Sequence, residues 1–144
     1  MRNGYTKRVI ARLREEGLKV TPQRIAILKH LDGNTNHPSV EDIHHKVCRK
    51  FPTISLATVY NTMDTLERLQ EVQAIHVDTS RKHYDPDTRP HHHAICTRCR
   101  SIQDVFADLA ASVRVPAAVA ETFRVDETTV HLRGVCLDCS TATA

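Results

Sequence analysis

Residues 55–69 read SLATVYNTMDTLERL, and this stretch decides how the first half of the chain is interpreted. Ser55 is a favoured helix N-cap. Apolar side chains then recur at steps of three and four residues, at Leu56, Val59, Met63, Leu66 and Leu69. That spacing predicts a helix with one buried stripe. Small and polar residues occupy the other faces, at Ala57, Thr58, Tyr60, Asn61 and Thr62. An exposed tract of this kind suits insertion into a groove.

Three shorter helices are predicted before this one. The first covers roughly residues 4–16 and ends at Gly17, a favoured helix stop. The second opens at Thr21 and Pro22, a polar N-cap followed by proline at the first helical position. The third opens at residues 39–42, which have the form of a capping box.

Two strand-like runs follow the fourth helix, around residues 72–77 and 82–84, and residues 78–81 between them predict a hairpin. Helices followed by a groove-facing helix and a hairpin are the order of a winged helix-turn-helix, which places its last helix in the DNA major groove. The same pattern also suits a generic helical bundle with one hairpin, and that alternative stays open at this point.

The second half predicts a smaller α/β lobe, which makes the fold class α+β. Residues 85–93 hold two prolines and are expected to be a linker rather than helix or strand. Strands are expected at Ile95, Ile102, Val105 and Phe106, and further ones at Phe123, Val125, Val130 and Leu132. A helix is expected through Leu109 and Val113 as far as Pro116, and residues 140–144 are expected to fray.

Size and charge narrow the classes of function. A chain of 144 residues is too short for a large multidomain enzyme. It holds no run near the about 18 apolar residues of a membrane span, and no apolar segment follows the basic N-terminus, so a cytoplasmic protein is expected. Residues 1–84 hold 14 Lys and Arg against 9 Asp and Glu, whereas residues 85–144 hold 6 against 8. An anionic partner is therefore expected for the first half only.

Four of the five cysteines form two C-x-x-C pairs, Cys96 with Cys99 and Cys136 with Cys139, separated by 36 residues. Four thiolates satisfy tetrahedral Zn²⁺ and leave no open position, so the pattern predicts a structural zinc site. A thioredoxin-type redox pair would need a βαβ context that the sequence lacks, and four buried free thiols are the other alternative. Cys48 lies in the third helix and is interpreted as a packing residue.

A second group of side chains offers nitrogen and oxygen donors. It comprises residues 91–93, all histidine, together with Asp104, Asp85 and His37. Such donors suit Fe²⁺, Mn²⁺ or Zn²⁺ and leave room for exchange. Taken singly, His37 before Pro38 also reads as a loop residue and Asp85 before Pro86 as a turn residue.

Together these motifs resemble the ferric uptake regulator (Fur) family of bacterial metal-dependent repressors. The resemblance covers nearly the whole chain, through residues 17–24, 37–38, 55–61, 91–99 and 134–139. It implies a winged-helix DNA-binding domain over residues 1–84, a hinge over residues 85–91, and a dimerisation domain with structural zinc over residues 92–144. It also implies a homodimer on a pseudo-palindromic operator in double-stranded DNA.

The resemblance also assigns roles to single residues. The family's regulatory Fe²⁺ or Mn²⁺ site corresponds to His37, Asp85, His91, His93 and Asp104, and its structural zinc to Cys96, Cys99, Cys136 and Cys139. On DNA it implies that Lys19 enters the minor groove, that Arg24 contacts phosphate, and that Tyr60 and Asn61 reach base edges. The family's further site near the hinge corresponds here to Pro90, His92, Ala111 and Thr128, so no third site is expected.

Two positions favour the peroxide-sensing (PerR-type) branch of this family. Asp104 stands where iron-responsive members usually carry Glu, and Asn61 stands where they commonly carry Arg. The resemblance then implies that iron-catalysed oxidation of His37 and His91 releases the operator. An iron-responsive repressor without peroxide sensing is the alternative.

Two other classes of protein fit less well, and no enzymatic activity is expected. A zinc deaminase needs H-x-E and P-C-x-x-C tracts, which are absent. A zinc hydrolase would need a water-activating base and a substrate pocket in a small chain. A zinc-ribbon interaction module would not need the N-terminal winged-helix pattern.

Overall fold

A computed structural model describes residues 4–142, which divide into two compact units with the boundary between Thr88 and Arg89. This boundary lies within residues 85–91, for which the sequence predicts a hinge. Residues 1–3, and residues 143 and 144 of the tail expected to fray, lie outside the described part of the chain. No helix within residues 4–142 is long and apolar enough to cross a membrane.

The first unit has the predicted succession of four helices and a hairpin. The helices are α1 (Tyr5–Glu15), α2 (Pro22–Leu31), α3 (Val40–Val47) and α4 (Leu56–Arg68). Strands β1 (Gln73–His76) and β2 (Lys82–Asp85) pair antiparallel, with Gln73 opposite Asp85 and His76 opposite Lys82. The order and pairing are those of a winged helix.

The predicted caps are present at the starts of three helices. The hydroxyls of Thr21, Ser39 and Ser55 accept hydrogen bonds from the N–H groups of residues 24, 42 and 58. At α3 the capping box is complete, because the Asp42 carboxylate also accepts from the backbone N–H of Ser39 at 2.9 Å. Gly17 ends α1 in the left-handed region, with φ of +70°, a conformation that glycine adopts without steric cost.

The hydrophobic core of this unit gathers residues from all four helices and from β2, including Leu13, Leu28, Ile43, Met63 and Tyr84. The prediction for the buried stripe of α4 was wrong at its first residue. Leu56, at the start of the helix, is exposed, whereas Leu69 at its end is half-buried and packs against the core. Thr62, expected on an outer face, is buried, and its hydroxyl donates to the Thr58 carbonyl at 2.8 Å. Tyr60 and Asn61 are exposed as predicted.

The second unit is built on a three-stranded sheet of order β4-β3-β5. Its elements are β3 (His92–Cys96), β4 (Ile102–Val105), a 3-10 turn (Ala110–Ser112), α5 (Ala117–Ala120), β5 (His131–Gly134) and α6 (Leu137–Thr141). Strand β3 pairs antiparallel with β4 and parallel with β5. The sheet therefore brings the two halves of this unit together across the long connection between β4 and β5.

Four expectations for the second half need correction. Asp85 ends β2 and His92 and His93 begin β3, so the linker is shorter than residues 85–93 and holds both prolines between strands. The helix through Leu109 and Val113 is only a 3-10 turn, since the β-branched residues ahead of Pro116 disfavour helix. Phe123, Val125 and Val130 lie outside the strands of the described residues, and Val130 is joined to β3 only where its carbonyl accepts from the His93 N–H. Ser140 and Thr141 are helical rather than frayed.

Candidate metal centres

The four paired cysteines converge at one end of the second unit. Cys96 is the last residue of β3 and a tight turn leads to Cys99, while Cys136 caps α6 and Cys139 lies within it. All four Sγ atoms lie within 4.8 Å of one another, and Cys99 Sγ is 3.8 Å from Cys136 Sγ. Thiolates about 2.3 Å from a tetrahedral ion stand about 3.8 Å apart. The group therefore fits Zn²⁺ in size and in donor chemistry.

Local hydrogen bonds favour the thiolate form of Cys96. Its Sγ accepts from the backbone N–H groups of Cys136 and Cys99, each at 3.4 Å, and these bonds lower the Cys96 pKa to about 6. A hydrogen bond to Ser101 lowers the Cys99 pKa. In contrast, side-chain hydrogen bonds from Cys139 to Cys136 and Cys99 raise the Cys139 pKa to about 12. Four thiolates this close repel one another, so a cation is required for all of them to ionise.

The two C-x-x-C segments are also joined by hydrogen bonds that do not involve the four thiols. The backbone N–H of Thr97 donates to the Gly134 carbonyl at 2.8 Å, and the Arg98 guanidinium donates to the Cys139 carbonyl at 2.7 Å. Cys48, in contrast, belongs to the first unit. It lies at the end of α3, where it is half-buried against the core and its Sγ donates to the His45 carbonyl at 3.1 Å.

In the first unit, His37 and Asp85 form a pair of nitrogen and oxygen donors. His37 Nε2 is 3.4 Å from Asp85 Oδ2, and both side chains are buried. Backbone pairing holds His37 beside β2, because the Tyr84 N–H donates to the Pro38 carbonyl at 3.0 Å. His37 has a φ of +51°, a left-handed conformation that is uncommon outside glycine and is held here by that pairing. Asp85 Oδ1 accepts from the Asp87 N–H at 2.8 Å, which leaves Oδ2 directed at the imidazole.

In the second unit, His91, His93 and Asp104 form a second group of donors. His93 on β3 lies directly opposite Asp104 on β4, so the two side chains share a face of the sheet, and His91 precedes His93 by two residues. Asp104 Oδ1 is 3.2 Å from His91 Nε2 and 3.5 Å from His93 Nε2. One carboxylate oxygen therefore faces two imidazole nitrogens.

The tautomer of His91 tests whether this group fits a metal. His91 Nδ1 lies 2.6 Å from the Arg89 carbonyl oxygen, so Nδ1 carries the hydrogen and donates it. In the neutral ring Nε2 then presents a lone pair to a carboxylate oxygen 3.2 Å away. Two acceptors at that distance repel unless a cation or a second proton lies between them. A backbone carbonyl on one ring nitrogen and an anion beside the other is the arrangement of metal-bound histidine.

His92 has the opposite tautomer. Its Nδ1 accepts the Val130 N–H at 3.0 Å, so the hydrogen of the neutral ring is on Nε2. With Pro90 and Thr128 it lines a cavity of about 360 Å³. Neither ring nitrogen of the neutral His92 therefore directs a lone pair toward that cavity, in contrast to His91, whose Nε2 faces Asp104.

The four residues proposed to contact DNA lie on the first unit. Lys19 is exposed and its carbonyl accepts from the Arg24 guanidinium at 2.6 Å. Tyr60 and Asn61 are exposed on α4, and the Tyr60 hydroxyl donates to Glu41 Oε1 on α3 at 3.0 Å. Backbone hydrogen bonding, with a smaller contribution from Tyr60, lowers the Glu41 pKa, and the bond to Glu41 raises the Tyr60 pKa.

Glu41 was missed by the sequence reasoning. Its only signal was the position beside Asp42 in the capping box, which gives no hint that its side chain reaches α4.

The winged-helix unit and the two kinds of donor group define a class of protein, the metal-binding winged-helix regulators. Residues 15–133 match the ferric uptake regulator family, and the chain belongs to that family. It is 34% identical over 134 residues to the peroxide operon regulator of Bacillus subtilis, covering 93% of this chain and 92% of that protein. It is 33% identical over 130 residues to the peroxide-responsive repressor PerR of Staphylococcus epidermidis, covering 90% and 87%.

The fold is also found in solved structures. The Helicobacter pylori ferric uptake regulator superposes with a TM-score of 0.81 at 23% identity, covering all of this chain and 97% of that one. The family consists of metal-dependent transcriptional repressors, with structural zinc and regulatory iron or manganese as cofactors. Membership sets aside the generic helical bundle and the zinc-ribbon module considered from the sequence.

Proposed function

We propose that this protein is a peroxide-sensing repressor that binds operator DNA as a metal-loaded dimer and releases it after oxidation of its ligand histidines. The observation that carries this proposal is the donor group of the second unit, in which Asp104 faces His91 and His93 and the His91 tautomer leaves Nε2 for a cation. Asp104 is the carboxylate that the resemblance associates with peroxide sensing. The two relatives whose names refer to peroxide support the peroxide-sensing branch of the family.

One ion is proposed to take ligands from both units. His37 and Asp85 supply two donors, and His91, His93 and Asp104 supply three, so neither group alone fills the coordination shell expected of Fe²⁺ or Mn²⁺. An ion that gains ligands only when the units adopt one arrangement shifts the population toward that arrangement. A coupling of about 1–3 kcal/mol would tighten operator binding roughly 5- to 150-fold. The metal is therefore the corepressor.

The release step is proposed to depend on His37 and His91. Bound Fe²⁺ supplies one-electron chemistry toward peroxide that Mn²⁺ does not supply in this setting. His37 and His91 are the imidazoles proposed to be oxidised. An oxidised imidazole is a weaker lone-pair donor, so each ring binds the regulatory ion less tightly after oxidation. Loss of either ligand removes the preference for the arrangement that binds DNA.

The dimer is proposed to form through the second unit. Among its described apolar residues, only Ile95 and Cys96 are buried. Large apolar side chains are instead exposed at Phe106, Val113, Val115, Val119, Phe123, Val125, Leu132, Val135 and Leu137. A surface this apolar is typical of a permanent interface. A second copy of the chain is the partner that the family resemblance implies.

Operator binding is proposed to use α4 of each protomer. Two copies of α4 would enter successive major grooves of a pseudo-palindrome, with Tyr60 and Asn61 at base edges. Lys19 is assigned to the minor groove and Arg24 to a phosphate. A repressor of this kind acts in the cytoplasm.

Intact-mass analysis after dilute peroxide tests the proposal. Fe²⁺-loaded protein should gain oxygen on the peptides that contain His37 or His91, and Mn²⁺-loaded protein should not. The peptide that contains His76, an exposed residue of β1, is the internal control and should stay unmodified. If the Fe²⁺ form ignores peroxide, the iron-responsive repressor becomes the better assignment.

A further inference from the structure

A third histidine lies on the sheet face that carries His93 and Asp104. Strand β5 begins at His131, which pairs with His93 in the parallel register of β3 and β5. Because directly paired residues of neighbouring strands point to the same side of a sheet, His131, His93 and Asp104 form one row across the three strands. His131 lies five residues before Cys136 but belongs to neither C-x-x-C pair, and no motif singled it out.

The spacing of the rings fits imidazoles that share one ion. The centroids of His91 and His93 are 4.6 Å apart, and those of His93 and His131 are 5.7 Å apart. Two imidazoles bound at about 2.1 Å place their centroids roughly 4.5–5.7 Å apart for angles at the metal between about 90° and about 125°. The distance between His91 and His93 lies within that range, and the distance between His93 and His131 lies at its upper end.

The backbone of Val130, the residue before His131, is held by two hydrogen bonds to β3. The N–H of Val130 donates to His92 Nδ1 at 3.0 Å, and the carbonyl of Val130 accepts from the His93 N–H at 3.3 Å. Both polar groups of the residue before His131 are therefore held by β3. His92 does not act as a donor to metal in this arrangement. It anchors the strand that carries the third ring instead.

We propose that His131 is an additional ligand of the regulatory site, which lets the second unit hold the ion through His91, His93, Asp104 and His131. This inference rests on the proposed function. Three imidazoles and one carboxylate suit Fe²⁺, Mn²⁺, Co²⁺ and Zn²⁺. The ion would then load onto the second unit first and be joined by His37 and Asp85. Six donors leave no position for peroxide, so one of them must leave the Fe²⁺ form before peroxide reaches the metal.

This order of loading has a consequence for the first unit. A chain that lacks the His37 imidazole should still bind the regulatory ion, because four donors remain on the second unit. The same chain should bind that ion more weakly when His131 is also removed, because only two imidazoles and one carboxylate, a set that still holds divalent iron, then remain of the four donors proposed on that unit.

Titration of the full-length, zinc-containing protein with Co²⁺ tests the proposal through the visible absorption of the bound ion. The variants are His131→Ala, His37→Ala, the double variant, and His76→Ala as a matched control on an exposed strand position. His131→Ala should weaken Co²⁺ binding at least tenfold and change the absorption spectrum, whereas His76→Ala should match the parent. His37→Ala should retain a Co²⁺ spectrum, and the double variant should bind Co²⁺ at least tenfold more weakly than His37→Ala.

Zinc content and circular dichroism of each variant show whether the second unit remains folded. Parental affinity and spectrum in a folded His131→Ala variant would overturn the assignment of His131 while leaving the proposed function intact. If the parent binds no ion beyond its zinc, the proposed function itself fails.

Discussion

At the scale of single residues, Cys96 carries the clearest local argument for zinc. Two backbone N–H groups lower its pKa to about 6, which favours the thiolate that binds a cation. Cys96→Ser replaces this thiolate with a hydroxyl that does not ionise near neutral pH. The binding free energy of a structural zinc is part of the folding free energy. We therefore expect Cys96→Ser to lose its zinc, unfold the second unit and abolish dimers.

The matched control is Cys48→Ser, since Cys48 is half-buried in the first unit and lies at the end of α3. This variant should keep one zinc per chain, measured by elemental analysis, and the parental dimer, measured by light scattering. Equal zinc content in the two variants would show that the Cys96 group is not the zinc site.

Tyr60 is the second residue with a specific expectation. It is 41% exposed on α4, and its hydroxyl donates to Glu41, which ties the side chain to α3. Tyr60→Ala should reduce discrimination between operator and random DNA by about 1–3 kcal/mol, the range for one good base contact. Tyr60→Phe keeps the ring and loses the bond to Glu41, so it separates the two contributions. Competition binding at fixed salt measures both, and full discrimination by Tyr60→Ala would exclude α4 as the reading helix.

At the scale of elements, the sequence predicted the first unit well because its signals are local. Each helix of α2 to α4 opens with a capping residue only three positions from its partner N–H. The second unit depends on distant pairing, since β3 joins β5 across more than 30 residues. Alternating apolar residues cannot specify such a partner, which is why strands were wrongly expected at Phe123 and Val125.

The sequence also predicted part of the candidate metal sites, namely which residues belong to each. Spacing alone grouped Cys96 and Cys99 with Cys136 and Cys139, and the resemblance assigned the histidines and aspartates. The tautomers of His91 and His92 could not be predicted, because they depend on the carbonyl of Arg89 and the N–H of Val130. The row that includes His131 depends on strand register, which the sequence did not supply.

The capping box of α3 provides a prediction at this scale. Ser39 is fully buried, it caps α3, and it follows the segment that carries His37. Ser39→Ala removes the hydroxyl that accepts the Asp42 N–H and should lower the free energy of unfolding by about 1 kcal/mol. Ser39→Thr keeps a capping hydroxyl and should lose less. Denaturant unfolding of the zinc-loaded protein measures the difference, and equal midpoints for the parent and Ser39→Ala would contradict this role for the cap.

At the scale of the whole molecule, repression and peroxide release are proposed to depend on how Asp104 approaches the regulatory ion. Its Oδ1 is 3.2 Å from His91 Nε2 and 3.5 Å from His93 Nε2, and the side chain is 16% exposed. Glu is longer by one C–C bond of about 1.5 Å, so its carboxylate must fold back to avoid the two rings and approaches the ion differently. Donor type and charge are unchanged, so metal-dependent DNA binding should persist in Asp104→Glu.

A different approach of the carboxylate to the ion should change the access of peroxide to the Fe²⁺ form. Asp104→Glu should therefore lose most of its peroxide sensitivity. The measurement is the peroxide dose that releases half of the operator from Fe²⁺-loaded protein, with the Mn²⁺-loaded parent as the insensitive control. Asp104→Asn, which removes the negative charge, should instead weaken metal-dependent DNA binding itself. This separates loss of sensing from loss of the ion. If Asp104→Glu releases the operator at the parental peroxide dose, the length of this side chain does not determine peroxide sensitivity. Asp104 would then no longer favour a peroxide sensor over an iron-responsive repressor.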